Sequence, residues 1–147
     1  DAVVVWLGAN EGFPMTTPSG EEVTCCDAAW AAEYATRARR MMDTYRQGGR
    51  ARVYWLKLPL PRDGDHARVA RTVNAAVAVA AEAYRAHVRV LDMAELFTPG
   101  GRYRDAMEVG GRERIVRESD GIHVNATGAQ VAADAVERAL RADFALR

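Results

Sequence analysis

Lysine is nearly absent from this chain: Lys57 stands alone among 20 basic residues, the rest being arginine. Twenty acidic residues are interspersed with them and the formal net charge is zero. No basic face argues for nucleic acid, and no block of like charge argues for an interaction tail. With so much alanine, the preference for arginine reads as GC-rich coding rather than function. No run of 18 apolar residues occurs, so nothing in the sequence is expected to span a membrane as a helix. The only two cysteines, Cys25 and Cys26, are adjacent. They lack metal-ligand spacing and have no histidine beside them. Neighbouring cysteines seldom bridge, because the ring they close is strained. They are therefore expected as an unbridged, partly buried pair at a helix start. Serine is scarce as well, with Ser19 and Ser119 alone, and there is neither an internal repeat nor a low-complexity segment.

What is present is one domain's worth of chain. At 147 residues it can bury roughly 70% of its unfolded surface. Residues 2–7 (Ala-Val-Val-Val-Trp-Leu) form a continuous apolar run of the kind parallel strands show when both faces are covered. Residues 11–24, rich in Gly, Pro, Thr and Ser, read as a loop. A helix over 27–47 carries Trp30, Tyr34, Met41 and Tyr45 near one face and ends at Gly48-Gly49. A strand over 53–58 stops at Pro59, and Pro61 keeps the next segment extended. A second helix is predicted over 65–87, with Val69, Val73, Val77, Ala80 and Tyr84 at helical spacing, then a strand over 88–92. Residues 93–119 read as a long irregular stretch with two double glycines, and loops of that length are often functional. The last helix is predicted from near Thr127, where Thr127 and Gln130 have capping-box spacing.

Alternating strands and helices imply right-handed crossovers and a parallel sheet between helical layers, an α/β fold of three layers, α/β/α. Three strands are few for three amphipathic helices, and the strand at 2–7 would be an open apolar edge. The chain also enters that strand at once from Asp1, without a methionine, whereas termini are normally loose. Asp1 is therefore read as a cut boundary, with strands of the same domain expected upstream, and the lack of a leader is uninformative.

Two short motifs carry chemistry. Gly8-Ala9-Asn10 directly follows the first strand, and Asp120-Gly121-Ile122-His123 directly precedes the last helix. A carboxylate three residues from an imidazole reaches it within one turn, and ligands bind beyond the carboxyl ends of strands in open α/β sheets. Together they are a base with its orienting acid and an oxyanion donor, two of the three parts that split an ester. The plainer alternatives are that Asn10 stabilises a turn, that Ser119, Asp120 and Asn125 are turn and cap residues, and that His123 packs. His66 and His87 lie in or beside helices, with no comparable acid–histidine turn expected around them.

The order, spacing and placement of these motifs resemble the SGNH/GDSL hydrolases, serine esterases and acyl-transfer enzymes on a flavodoxin-like sheet. The strand ending Lys57-Leu58-Pro59 and the helix carrying Asn74 resemble the family's middle section, so the likeness runs from Ala2 to about Ala142. It implies that residues 1–147 are the C-terminal two-thirds of a single SGNH-type domain. The Gly-Asp-Ser block with the nucleophile, and the block whose glycine amide completes the oxyanion hole, would lie upstream of Asp1. Within the resemblance Asn10 is an oxyanion donor, Gly8 allows close backbone approach, His123 is general base and acid, and Asp120 orients its ring. Glu11 stands where the family usually has Asp. Neither Ser19 nor Ser119 follows a strand and opens a helix, where this fold exposes its nucleophile. Cys25 or Cys26 acting with His123 is set aside.

The resemblance further implies no metal or organic cofactor and a small-molecule or glycan ester substrate. Lipids, acetylated carbohydrates or cell-envelope polymers would supply it, at the cell envelope or outside the cell. The chain alone is expected to be inactive. Arg102, Tyr103, Arg112, Arg114 and Arg117 read as solvated loop groups beside the site, and Trp6 and Trp55 as core. Two other classes stay open. One is a catalytically silent SGNH-like domain binding an envelope glycan or a protein partner. The other is a flavodoxin-like nucleotide or phosphate binder, weakened because residues 8–12 lack the remaining glycine and lysine of a phosphate-cradling loop.

Overall fold

The computed structural model describes residues 1–145. In chain order the elements are β1 (Ala2–Val5), a small hairpin of β2 (Met15–Thr16) and β3 (Glu22–Val23), α1 (Ala28–Tyr45) and β4 (Arg52–Leu56). Then come α2 (Gly64–Ala81), β5 (Val88–Leu91), α3 (Met93–Phe97), a second hairpin of β6 (Ala106–Val109) and β7 (Arg112–Ile115), and α4 (Ala126–Phe144). The main sheet is parallel in the order β1-β4-β5, with Val3 opposite Val53 and Val53 opposite Val88. Helices flank it, giving the layered α/β fold of flavodoxin-like type.

β4 explains the layering. Its residues alternate between the two faces, as a period of two requires. Val53 and Trp55 join one core with Trp30, Tyr34 and Met42 of α1 and Val73 and Val77 of α2. Tyr54 and Leu56 join the other with Phe97, Val116 and, from α4, Ala132 and Ala139. Burying each large apolar side chain of this kind contributes roughly 1.5–3 kcal/mol. β1 lies at the sheet's edge, and Val4 within it and Leu7 just beyond it are exposed.

The helices begin at side-chain caps. Asp27 accepts from the Trp30 amide at 2.7 Å, and Asp63 accepts from the amides of Asp65 and His66 at 3.1 and 3.0 Å. α2 is shorter than its apolar spacing predicted: it ends at Ala81, a 3-10 turn (Glu82–Tyr84) follows, and His87 lies outside the helix. The cap of α4 is Asn125, not Thr127. Asn125 has extended backbone, accepts from the Gly128 amide at 3.0 Å, and is itself held by Val116 and Ile115 carbonyls, while Gln130 bonds Asp134. The stretch 93–119 is likewise not irregular. α3, a 3-10 turn (Pro99–Gly101) and the β6–β7 hairpin order most of it, with Gly110-Gly111 as the two-residue turn. Both glycines have positive φ, 60° and 74°, as the tight hairpin turn matching strand twist demands.

Cys25 and Cys26 form a disulfide, against the expectation of an unbridged pair; both are half-buried in the turn that leads into α1. Among the described residues no helix is long and apolar enough to cross a membrane.

Candidate active site

A cavity of about 220 Å³ opens beyond the carboxyl ends of β1 and β4. Its walls are the residues leaving those strands (Trp6 to Ala9, and Leu58, Pro59 and Pro61), the first turns of α2 (His66, Val69, Ala70), and Ile122, His123 and Val124. The lining is mostly apolar, with two imidazoles set into it. This is the rim where open α/β sheets bind ligands.

His123 is placed by its own turn. The Asp120 carboxylate receives Nδ1 of the ring on Oδ2 at 2.7 Å, and the amides of Ile122 and His123 on Oδ1 at 2.8 and 3.0 Å. The ring contact, then those two amides, hold the Asp120 carboxyl far below the usual carboxylate range. An ionised carboxylate only accepts, so Nδ1 carries the hydrogen of that bond, and in the neutral ring the lone pair is then on Nε2. Gly121 has φ +72° and a Cβ there would lie 2.8 Å from Cβ of Arg62, so this turn requires glycine.

Two arginines fasten the turn to the exit of β4. The Arg62 amide donates to the Gly121 carbonyl at 2.9 Å. Arg117 donates from Nη2 to the carbonyls of Leu60 (3.0 Å) and Gly121 (3.4 Å). Arg117 is 2% exposed, so the solvated role expected for it is wrong: it is a buried clamp, and burial lowers its pKa. The Arg62 and Arg117 guanidiniums each lie 5.2 Å from the centre of the Tyr103 ring, and the Tyr103 hydroxyl donates to Asp105 at 2.6 Å.

Gly8 lines the same cavity, and its backbone is packed closely: a Cβ would meet Leu58 at 3.1 Å, Val73 at 3.2 Å and the Tyr34 hydroxyl at 3.4 Å. Asn10 stands exposed in the turn after β1, one residue beyond the cavity wall formed by Gly8 and Ala9. Burial and the neighbouring Glu11 carboxylate push the Tyr34 hydroxyl upward. Asn74, buried in α2, holds both polar groups of the Leu58 peptide (2.7 and 2.9 Å) and so fixes the far wall. Trp55 is core, whereas Trp6 lines the cavity and stacks on Phe97. Neither serine contributes to the lining: Ser19 bonds Thr17 in the first hairpin, and Ser119 is exposed ahead of the turn.

His66 was missed. Asp63-Gly64-Asp65-His66 repeats the spelling of Asp120-Gly121-Ile122-His123, and its Nδ1 lies 2.8 Å from Oδ1 of Asp63. The His66 amide, then its ring, lower the Asp63 carboxyl. The repeated Asp-Gly-x-His was the available signal; it was hidden because the first copy doubles as a helix start. Among the described residues no group of three or more His, Cys, Asp or Glu is arranged to hold a metal.

No curated protein matches the chain. The family model described as "Protein of unknown function (DUF459)" matches residues 1–139, which takes in β1, the cavity and both Asp-Gly-x-His turns, and the chain belongs to that family.

Proposed function

We propose that this chain carries the acid–base and oxyanion part of an SGNH-type serine esterase or acyl-transfer enzyme acting on carboxylic esters. The observation that carries the proposal is the Asp120–His123 pair, 2.7 Å apart, on the wall of an apolar cavity at the sheet's ligand-binding rim. In this reading a serine hydroxyl attacks the ester carbonyl while Nε2 of His123 takes its proton. The tetrahedral oxyanion is met by the Asn10 amide and backbone groups near Gly8, and the proton passes to the departing alcohol. Water or another hydroxyl then attacks the acyl-enzyme by the reverse path. Asp120 holds the ring's tautomer and faces the imidazolium when it forms. The serine belongs to a segment outside residues 1–147. The exposed apolar edge at β1, with Val4 and Leu7, supports a further strand there.

The test is turnover of short acyl esters and O-acetylated sugars by the intact protein, with a fluorophosphonate to label the nucleophile. A labelled serine, and turnover lost in His123→Ala, are expected. Turnover that survives His123→Ala defeats the site. An intact protein that neither turns over nor labels favours the silent, glycan- or protein-binding domain instead. Residues 1–147 alone should show no turnover.

A further inference from the structure

The two Asp-Gly-x-His turns are one assembly. The Arg62 amide, immediately before the first turn, donates to the carbonyl of Gly121 inside the second at 2.9 Å. Arg117 reaches the same carbonyl and that of Leu60. The backbone thus fixes the turns side by side, and both imidazoles line one cavity. Each ring is held at Nδ1 by its own carboxylate, 2.8 Å for His66 and 2.7 Å for His123. Each carboxylate is in turn held by the amides two and three residues on. A helix cap needs only the Asp63 carboxylate. It does not need an imidazole orientated by that carboxylate on the wall of an apolar cavity, which is how an acid–base group is built.

We propose that His66 is a second catalytic acid–base group of this site, with Asp63 as its positioning residue, serving the alcohol side of the ester while His123 serves the nucleophile. The inference rests on the esterase reading above. In acylation, the serine oxygen bonds to the acyl carbon as its proton goes to Nε2 of His123. The ester C–O bond breaks, and the departing oxygen takes its proton from Nε2 of protonated His66 instead of from His123, the one step (with its reverse in deacylation) in which this assignment replaces the single-histidine path above. In deacylation, the acceptor hydroxyl oxygen bonds to the acyl carbon and gives its proton to Nε2 of His66. The serine–acyl bond breaks, and the serine oxygen recovers its proton from His123. Both rings return to their starting state. The arrangement suits esters of poorly acidic alcohols, including sugar hydroxyls, because an alkoxide leaving group needs a proton and a nitrophenolate does not.

The experiment compares kcat/KM, which reads acylation and not the deacylation step the two esters share, for His66→Gln and His123→Gln in the intact protein, on an alkyl ester and a nitrophenyl ester of the same acid. General acid–base catalysis contributes about 10²–10⁴-fold. His66→Gln is therefore expected to lose about 10²-fold more on the alkyl ester than on the nitrophenyl ester, while His123→Gln removes both. Equal losses on the two esters in His66→Gln, or none, overturn the role of His66 and leave the esterase reading standing. No turnover by the unaltered protein, or turnover indifferent to His123, overturns both. Imidazole ¹⁵N spectra supply a readout independent of turnover: neutral His66 is expected as the Nδ1–H tautomer, and an Nε2–H tautomer overturns the proposal even where activity is lost.

Discussion

Residues 63–66 and 120–123 spell the same four-residue phrase, Asp-Gly-x-His, in opposite settings. The first is the opening of an 18-residue helix: Asp63 caps it, and Gly64 is a helical residue with open space where a Cβ would go. The second caps nothing. Its glycine is at φ +72° against Arg62, and it is held from outside by the Arg62 amide and the buried Arg117. The carboxylates differ too. Asp63 gathers both amides and the ring on one oxygen, whereas Asp120 gives the amides Oδ1 and the ring Oδ2. One imidazole is thus presented by secondary structure and the other by tertiary contacts. Local spelling sets the Asp–His bond, and context sets what supports it.

The largest expected contrast is catalytic. Asp120→Asn should lower kcat of the intact protein on a short ester by about 10⁴-fold, as loss of an orienting carboxylate does in a triad enzyme. Asp63→Asn should cost far less on an activated ester, and steady-state kinetics on both variants measure the gap. Next comes Arg117→Met. It deprives two carbonyls of a charged donor, a loss of about 1.5–3 kcal/mol in urea unfolding. Amide shifts should move at Gly121 and not at Gly64. The glycines separate more finely. Gly121→Ala, strained at positive φ, should cost about 1–3 kcal/mol, while Gly64→Ala should be neutral or stabilise by up to about 1 kcal/mol. Paired melting curves check the difference in sign.

The smallest effect is on pH. The Asp120 carboxyl is depressed in the fold relative to its ordinary value near about 4. Its stabilisation is therefore complete above that value and is lost as the pH falls through the folded pKa. Between pH 6 and 3 the unaltered protein should lose more melting temperature than Asp120→Asn. Asp63→Asn should narrow the loss in the same direction.

Strong periodicity made the frame legible. The apolar runs at 2–7 and 53–56 and the helical spacing of Val69, Val73 and Val77 made β1, β4 and the long helices readable, although Val4 and Leu7 of the first run stay exposed. The hairpin at 106–115 could not be read that way, because only Met107 and Val109 alternate with a polar residue, and Arg112, Glu113 and Arg114 leave its second strand almost wholly charged. Its signal was the turn, Gly110-Gly111 between two four-residue strands. The Asp120–His123 contact was legible because it is local. That His66 shares its cavity was not, because the link is a peptide hydrogen bond between Arg62 and Gly121, which leaves no trace in residue type. The buried role of Arg117 was hidden for the opposite reason: arginine ordinarily signals surface, and only tertiary structure shows the carbonyls it serves.

β4 is the central strand of the main sheet and feeds both cores. Its neighbours on either side, β1 and β5, are edges, while Val53, Tyr54, Trp55 and Leu56 are each no more than 2% exposed. Loosening either helical layer alone leaves the strand covered from the other side and paired along both flanks. Its amide hydrogens can therefore meet solvent only when the whole molecule opens, and their exchange rate is a direct gauge of global stability.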